Sequence, residues 1–297
     1  MNDVGVNLER EKMQSRPVVL TIAGFDPSSG AGITADLKVF AAHHFYGVSA
    51  ITALTVQSTL EVRRTEPVSP EILDETLACL AEDVRIEGVK IGMLATAGNV
   101  TTVARFLDRS GIARERVVLD PVIRSSSGRE LLDRDGVEAL RRDLLPRVGW
   151  VTPNIGELAL LVSRPGLVMA AVPEAAAELQ SNHRESNHLE PDGRGLNLVV
   201  TGGDAKPPND FLRTADGAEH WFAGEWIETT ATHGTGCTFS SALLAALVEG
   251  RTDVDAVRAA KTYVERAMRA AYRVGKGKGP LHHLYELESG FRGEPSF

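Results

Sequence analysis

From Val18 onward, short apolar runs alternate with amphipathic stretches, and the runs end in turn residues or polar residues. VVLTIA (18–23) stops at Gly24, VSAITALT (48–55) gives way to Gln57-Ser58-Thr59, and GVKIGM (88–93) ends on Met93. VVLDPVI (117–123) carries Asp120-Pro121, Trp150–Thr152 runs into Pro153-Asn154, and Leu196–Thr201 resumes the series. Between them, residues 70–86, 97–109, 136–145 and a stretch opening at Gly156 read as helices, as does the segment carrying Ile33, Leu37, Phe40 and Ala41 on one face. Unbroken apolar runs of this length suit strands buried on both faces. Their alternation with helices specifies a parallel sheet with right-handed crossovers, covered by helices on each side. The expected fold is therefore α/β: a single three-layer α/β/α domain with a mostly parallel central sheet, spanning 17–297 behind a loose polar leader over 1–16. No composition break marks a second domain, and no internal repeat or low-complexity tract interrupts the pattern.

In such sheets, ligands bind beyond the carboxyl ends of the strands. Asp26, Gln57, Met93, Asp120, Asn154 and Thr201 all follow strands. The last of the glycine turns is the most informative. In TTATHGTGCTFSSALLAALVE (229–249), Gly234-Thr235-Gly236 opens into a helical run with Ser240, Leu243, Leu244, Leu247 and Val248 at spacings of three and four. A glycine turn entering a helix aims free N–H groups and the positive end of the helix dipole at one spot, which suits a phosphate. No Gly-Lys-Ser/Thr follows, so this is not a Walker loop. Cys237 falls in the first turn, where the dipole favours thiolate. It reads as a general base, a nucleophile or a small core residue.

Several other polar residues bear on ligand chemistry. Gln57 offers an amide that suits the edge of an aminated heterocycle, or that stabilises its loop. Asp36 is a carboxylate early in its helix, where solvation or the dipole would also account for it. Asp120, with Asn154 and Glu157 in TPNIGE, suggests Mg2+ held partly through water, although Glu157 is equally a first-turn helix acid. The stretch Gln180–Gly195 (QSNHRESNHLEPDGRG) is polar and aperiodic and reads as a solvated surface loop. Trp221-Phe222 and Trp226-Ile227, flanking Ala223-Gly224-Glu225, read as a hairpin. Thr252 with Asp255 makes a capping box for a final helix burying Val257, Ala260, Val264 and Met268, and GKGKGP (275–280) reads as a flexible basic loop.

Bulk properties narrow the partners. A net charge of −8 argues against a nucleic-acid binder, which needs a basic face. Two well-separated cysteines, Cys79 and Cys237, form neither a disulfide framework nor a zinc pattern, which fits a reducing cytoplasm. No apolar run reaches the length of a membrane span.

Seven segments in order, TIAGFDPSSGAGITADLK (21–38), ITALTVQST (51–59), VKIGML (89–94), VVLDPVI (117–123), VTPNIGEL (151–158), THGTGCTFSSA (232–242) and GKGKGP (275–280), resemble the ribokinase-like superfamily. The nearer resemblance is to its hydroxymethylpyrimidine/phosphomethylpyrimidine kinases of thiamine biosynthesis, and it covers about residues 17–284. The resemblance implies a cytoplasmic homodimer using ATP with Mg2+. The substrate would be 4-amino-5-hydroxymethyl-2-methylpyrimidine, phosphorylated on its alcohol and then again on the resulting monophosphate. It implies Gln57, Asp36, Met93 and Val122 for the pyrimidine, and the amides of Gly234, Thr235 and Gly236 for the transferring phosphoryl group. Cys237 would be the base, Asn154, Thr201 and Gly203 the nucleotide side, and Glu157 with Asp120 the metal side. Phe25 and Ser29 stand where many members have serine and glycine. Ser126 stands where many have lysine, and Thr201 and Asp204 where lysine and histidine are frequent. Pyridoxal kinases share most of these motifs, and a non-catalytic pyrimidine-binding protein could keep them too.

Overall fold

A computed structural model describes residues 16–125, 128–186, 195–203 and 205–287. The leader expected over 1–16 falls outside them except for Arg16, as do Ser126, Asp204 and residues 187–194.

Nine strands form one sheet in the order β3-β2-β1-β4-β5-β6-β7-β8-β9. They are β1 (Val18–Phe25), β2 (Tyr46–Gln57), β3 (Val62–Pro67), β4 (Ile86–Ile91), β5 (Val117–Leu119), β6 (Trp150–Val151), β7 (Asn197–Val200), β8 (Asp210–Arg213) and β9 (Glu219–Phe222). The pairs from β2 through β1 and β4 to β7 are parallel, while β3, β8 and β9 add antiparallel edges. Val19–Ala23 of β1 have no exposed surface at all, as the unbroken apolar run requires.

Successive residues of β1 feed opposite faces. Leu20 and Ile22 join one core with α2 (Pro70–Asp83), α3 (Ala97–Ser110), α4 (Arg134–Ala139), α5 (Ile155–Leu161) and α6 (Val172–Ser186). Val19 joins the other, with α1 (Gly32–Ala42), α7 (Thr235–Val248) and α8 (Asp253–Arg269). This is the expected three-layer α/β/α arrangement. The chain steps from β1 outward to β2 and β3, then back across to β4. That reversal is the switch point at which α/β sheets open a crevice.

Four local expectations are corrected. The antiparallel β3 is an additional strand, and VRRTEP shows too little apolar patterning to announce it. The hairpin joins β8 to β9, with Trp226-Ile227 outside any strand. Residues 180–186 continue α6 rather than forming a loop. Gln180 and His183 are buried on its inner face, and Gln180 Nε2 donates to the carbonyls of Leu196 at 2.7 Å and Thr214 at 2.9 Å. A periodicity read from apolar residues alone misses a helix whose buried positions are polar and satisfied. The helix expected over 136–145 is α4 followed by a π-turn over Leu140–Leu144 and a 3-10 turn over Leu145–Arg147, where Pro146 supplies no N–H to carry the helix on.

Candidate active site

Two glycine-rich loops pack against each other at this crevice. The first follows β1 and leads into α1. Asp26 folds it: its carboxylate accepts from Ser28 N–H at 2.8 Å, Ser28 Oγ at 2.7 Å, Gly30 N–H at 3.2 Å and Ala31 N–H at 2.9 Å. It also meets His233 Nε2 at 2.7 Å. Burial works to raise this carboxyl, but the bonds from His233 and Ser28 outweigh it and hold Asp26 below the usual range.

The second loop is the turn before α7. Gly234 caps the helix at φ 83°, and Thr238 N–H makes the first helical bond, 2.9 Å to the Gly234 carbonyl. The N–H groups of Thr235, Gly236 and Cys237 precede that bond and have no intrahelical acceptor. A Cβ on Gly234 would lie 1.8 Å from the Gly30 carbonyl, so the turn can sit this close only as glycine. A Cβ on Gly236 would lie 3.9 Å from both carboxylate oxygens of Asp120, so Asp120 lies beside the turn.

Beneath the turn lies a buried charge cluster. Lys90 of β4 has no exposed surface and bonds both oxygens of Asp36, at 3.1 and 3.0 Å. Thr21 Oγ1 at 2.6 Å and Ser241 Oγ at 2.8 Å complete the shell of Asp36. Asp36, expected to line the substrate pocket, is 0 % exposed, with both carboxylate oxygens bonded. Lys90 also lies 3.9 Å from Asp120, whose Oδ2 accepts from Ser240 at 3.3 Å.

At Cys237, burial opposes the helix dipole. The residue is half-buried, and burial pushes its thiol up to about 12; Lys90 pulls it down, but Asp120 and Asp36 add to the rise. Cys237 rests as a thiol, with its S–H within hydrogen-bonding reach of Asp120. Burial also raises Asp120, with Asp36 adding to it against Lys90. Glu157 is pushed up to about 8 by burial and by Asp120.

Glu157 and Asn154 form a reciprocal cap on α5: Asn154 N–H donates to Glu157 Oε2 and Glu157 N–H to Asn154 Oδ1, each at 2.9 Å. Thr201 reaches the same strand ends through its N–H bond to Pro153 O at 3.0 Å, and Gly203 follows at φ 51°. Met93 is buried, with Sδ 2.9 Å from where a Gly24 Cβ would be, and its carbonyl accepts from Thr52 at 2.5 Å. Val122 is half-buried just after Asp120. Gln57 meets His233 Nε2 at 3.1 Å and Thr55 Oγ1 at 3.2 Å. Among the described residues, no three acidic, histidine or cysteine side chains form a ready-made metal cage. Asp120 adds to the rise of Glu157.

Lys90 and His233 belong to this site although sequence reasoning assigned neither a role. Lys90 had a signal, a lysine inside the apolar run VKIGM. His233 stood next to the turn without a partner that sequence could name.

The family model described as phosphomethylpyrimidine kinase matches residues 26–282. The chain is 39% identical over 272 residues to a Rhizobium meliloti protein named hydroxymethylpyrimidine/phosphomethylpyrimidine kinase, covering 90% of this chain and 97% of that one. It is 40% identical over 277 residues to the protein of the same name from Escherichia coli, with the same coverage of both chains. Among solved structures, the Bacillus subtilis pyridoxal kinase in complex with ADP superposes with a TM-score of 0.79 at 28% identity, over 92% of this chain and 100% of that one. A Clostridium difficile phosphomethylpyrimidine kinase superposes with a TM-score of 0.67 at 31% identity, over 85% and 99%.

Proposed function

The chain belongs to the phosphomethylpyrimidine kinase family, and from that premise we propose that it transfers the γ-phosphoryl group of ATP to 4-amino-5-hydroxymethyl-2-methylpyrimidine and then to its monophosphate, a role in thiamine diphosphate biosynthesis. One observation carries the reading: the turn before α7 leaves the amides of Thr235, Gly236 and Cys237 without a side-chain cap, with Asp120 beside Gly236 and a buried Lys90 3.9 Å from Asp120. That is an anion seat next to a carboxylate, as phosphoryl transfer between two bound substrates requires.

In this reading Gln57 holds the aminopyrimidine edge, with Met93 and Val122 against the ring. Asp36 acts from below by keeping Lys90 in place. The turn amides take up the charge that develops on the transferring oxygens. Asn154, Thr201 and Gly203 lie toward the nucleotide. Asp120 and Glu157 would hold Mg2+, which neutralises phosphate charge when bound. The substrate alcohol loses its proton as it attacks; Cys237, a thiol at rest, can accept that proton only as the thiolate, after releasing its own to solvent. The second transfer starts from a phosphate already anionic near neutrality and needs no such base. The protein would act as a cytoplasmic homodimer, and Tyr46, Leu54 and Val56, all exposed on β2, supply apolar surface suited to a second copy.

An ATP-dependent assay on the pyrimidine alcohol, its monophosphate, pyridoxal and ribose tests the reading. ADP formation with the first two supports it. Preference for pyridoxal favours the second reading, a pyridoxal kinase, for which the likeness to the Bacillus subtilis structure speaks. ADP formation with none points to a binding protein. In Cys237→Ala, equal losses in both steps would make Cys237 positional rather than a proton acceptor.

A further inference from the structure

His233 stands where four segments meet. Its backbone N–H donates to the Gly279 carbonyl at 3.1 Å, tying it to the loop over 275–280. Its ring lies against the first glycine loop, where a Cβ on Gly30 would come within 2.3 Å of Cδ2. Its Nε2 touches Asp26 Oδ2 at 2.7 Å and Gln57 Nε2 at 3.1 Å, and Gly234 follows it in the chain.

Hydrogen-bond arithmetic at this junction fixes more than positions. The Asp26 carboxylate only accepts, so His233 Nε2 carries the proton in the shorter contact. A protonated Nε2 has no lone pair for an amide N–H, so the end of Gln57 that belongs toward His233 is its carbonyl oxygen. Thr55 demands the same orientation. The atom of Gln57 set 3.2 Å from Thr55 Oγ1 is Oε1, but the single hydroxyl proton of Thr55 serves the Phe25 carbonyl at 2.9 Å, so turning the amide over gives Oγ1 an N–H to accept. The one Nε2–H then serves two acceptors, chiefly Asp26 at 2.7 Å and secondarily the Gln57 carbonyl at 3.1 Å. With one lone pair facing His233 and one N–H facing Thr55, the amide keeps one lone pair and one N–H. A ring amine next to a ring nitrogen presents the matching donor and acceptor.

We propose that His233 is a specificity-determining residue: through its Nε2–H, anchored on Asp26, it locks the Gln57 amide end for end so that only an acceptor bearing a ring amine beside a ring nitrogen is read. The inference rests on the proposed pyrimidine kinase reading and deepens it. Without the lock the amide can turn over and offer a ring edge the opposite pair of groups.

The test compares the pyrimidine alcohol with its analogue lacking the ring amine, in steady-state assays with ATP. If wild type phosphorylates neither, the pyrimidine reading fails before the lock is at issue. If it does, His233→Leu should raise KM for the alcohol about tenfold while kcat changes less than about threefold, and leave the analogue nearly unaffected, since an unpaired polar contact discriminates where a shape contact does not. His233→Gln, whose amide can donate from the Nε2 position, should recover most of the preference. In a Gln57→Leu background, His233→Leu should have no further effect on selectivity. Should His233→Leu not fold, His233→Asn, too short to place a donor there, takes its part. Equal losses for both acceptors, additive effects with Gln57→Leu, or no recovery by His233→Gln overturn the proposal.

Discussion

The two glycine-rich loops at the switch point are built from similar residues and do opposite things with their amides. In the first, Asp26 lies inside the loop and takes up the N–H groups of Ser28, Gly30 and Ala31. In the second, no side chain caps the helix, and the N–H groups of Thr235, Gly236 and Cys237 have no intrahelical acceptor. Glycine content does not make an anion site. What matters is whether the loop already contains its own anion. The first loop is thereby a rigid template, and the second rests on it, with Gly234 against the Gly30 carbonyl.

The comparison breaks most completely at Gly234. Gly234→Ala combines a left-handed φ of 83° with a Cβ 1.8 Å from a backbone oxygen. Displacing the turn should cost about 100-fold or more in kcat with every acceptor, the scale of losing oriented amide donors. A variant with near-normal kcat would show that the turn does not hold the transferring group.

Asp26→Asn should dismantle the template more mildly. An amide cannot accept all the bonds the carboxylate takes, and the loss of charged hydrogen bonds at a buried site should lower stability by about 2–3 kcal/mol. Urea denaturation reads this directly. An unchanged midpoint would mean that the first loop is held by packing alone.

The open loop's carboxylate neighbours should show themselves in pH dependence. Glu157 ordinarily titrates at 4.5 and is raised here to about 8, so between these values the folded chain holds a proton that the unfolded chain has released. Stability should therefore fall as pH rises through that window, by at most about 1.4 kcal/mol per pH unit for one proton. Glu157→Gln should flatten this slope in thermal melts without added metal. Mg2+ should stabilise wild type at pH 8 and have less effect on the variant. Parallel slopes for the two proteins would remove Glu157 from this account.

The thiols offer a smaller contrast. Cys79 is exposed, and the Cys237 thiol is half-buried and pushed up to about 12, so iodoacetamide should label Cys79 at least about tenfold faster. Faster labelling of Cys237, read by peptide mass spectrometry, would restore the thiolate that the helix dipole alone suggested.

The smallest effect is expected at Ser29, which sits at φ 60° in the first loop. Ser29→Gly should relieve strain of about 1 kcal/mol, partly offset by the freer unfolded chain, for a net gain of a few tenths in the urea-derived stability. A loss would mean that the serine side chain contributes to the loop.

The order of strands and helices, the loops that would carry the chemistry and the helix-opening turn were legible from Val18 to Val248, because apolar period and turn residues act locally. The same local signals misjudged 180–186, whose inner face is polar, and overlooked β3, which has little apolar pattern. They placed Asp36, Glu157 and Cys237 near the turn but could not give the surroundings of each. Those surroundings depend on partners distant in sequence: Asp36 bonds Lys90, 54 residues away, and Ser241, 205 residues away. Sequence by itself determined a parallel α/β sheet with a phosphate-type turn beside a cysteine. Only the tertiary structure decided which polar groups are already satisfied, which carboxyls and thiols are held protonated, and that Asp26 closes one glycine loop while the other stays open. Hydrogen-bond saturation and ionisation follow from three-dimensional neighbours and burial, and neither is written in local spacing.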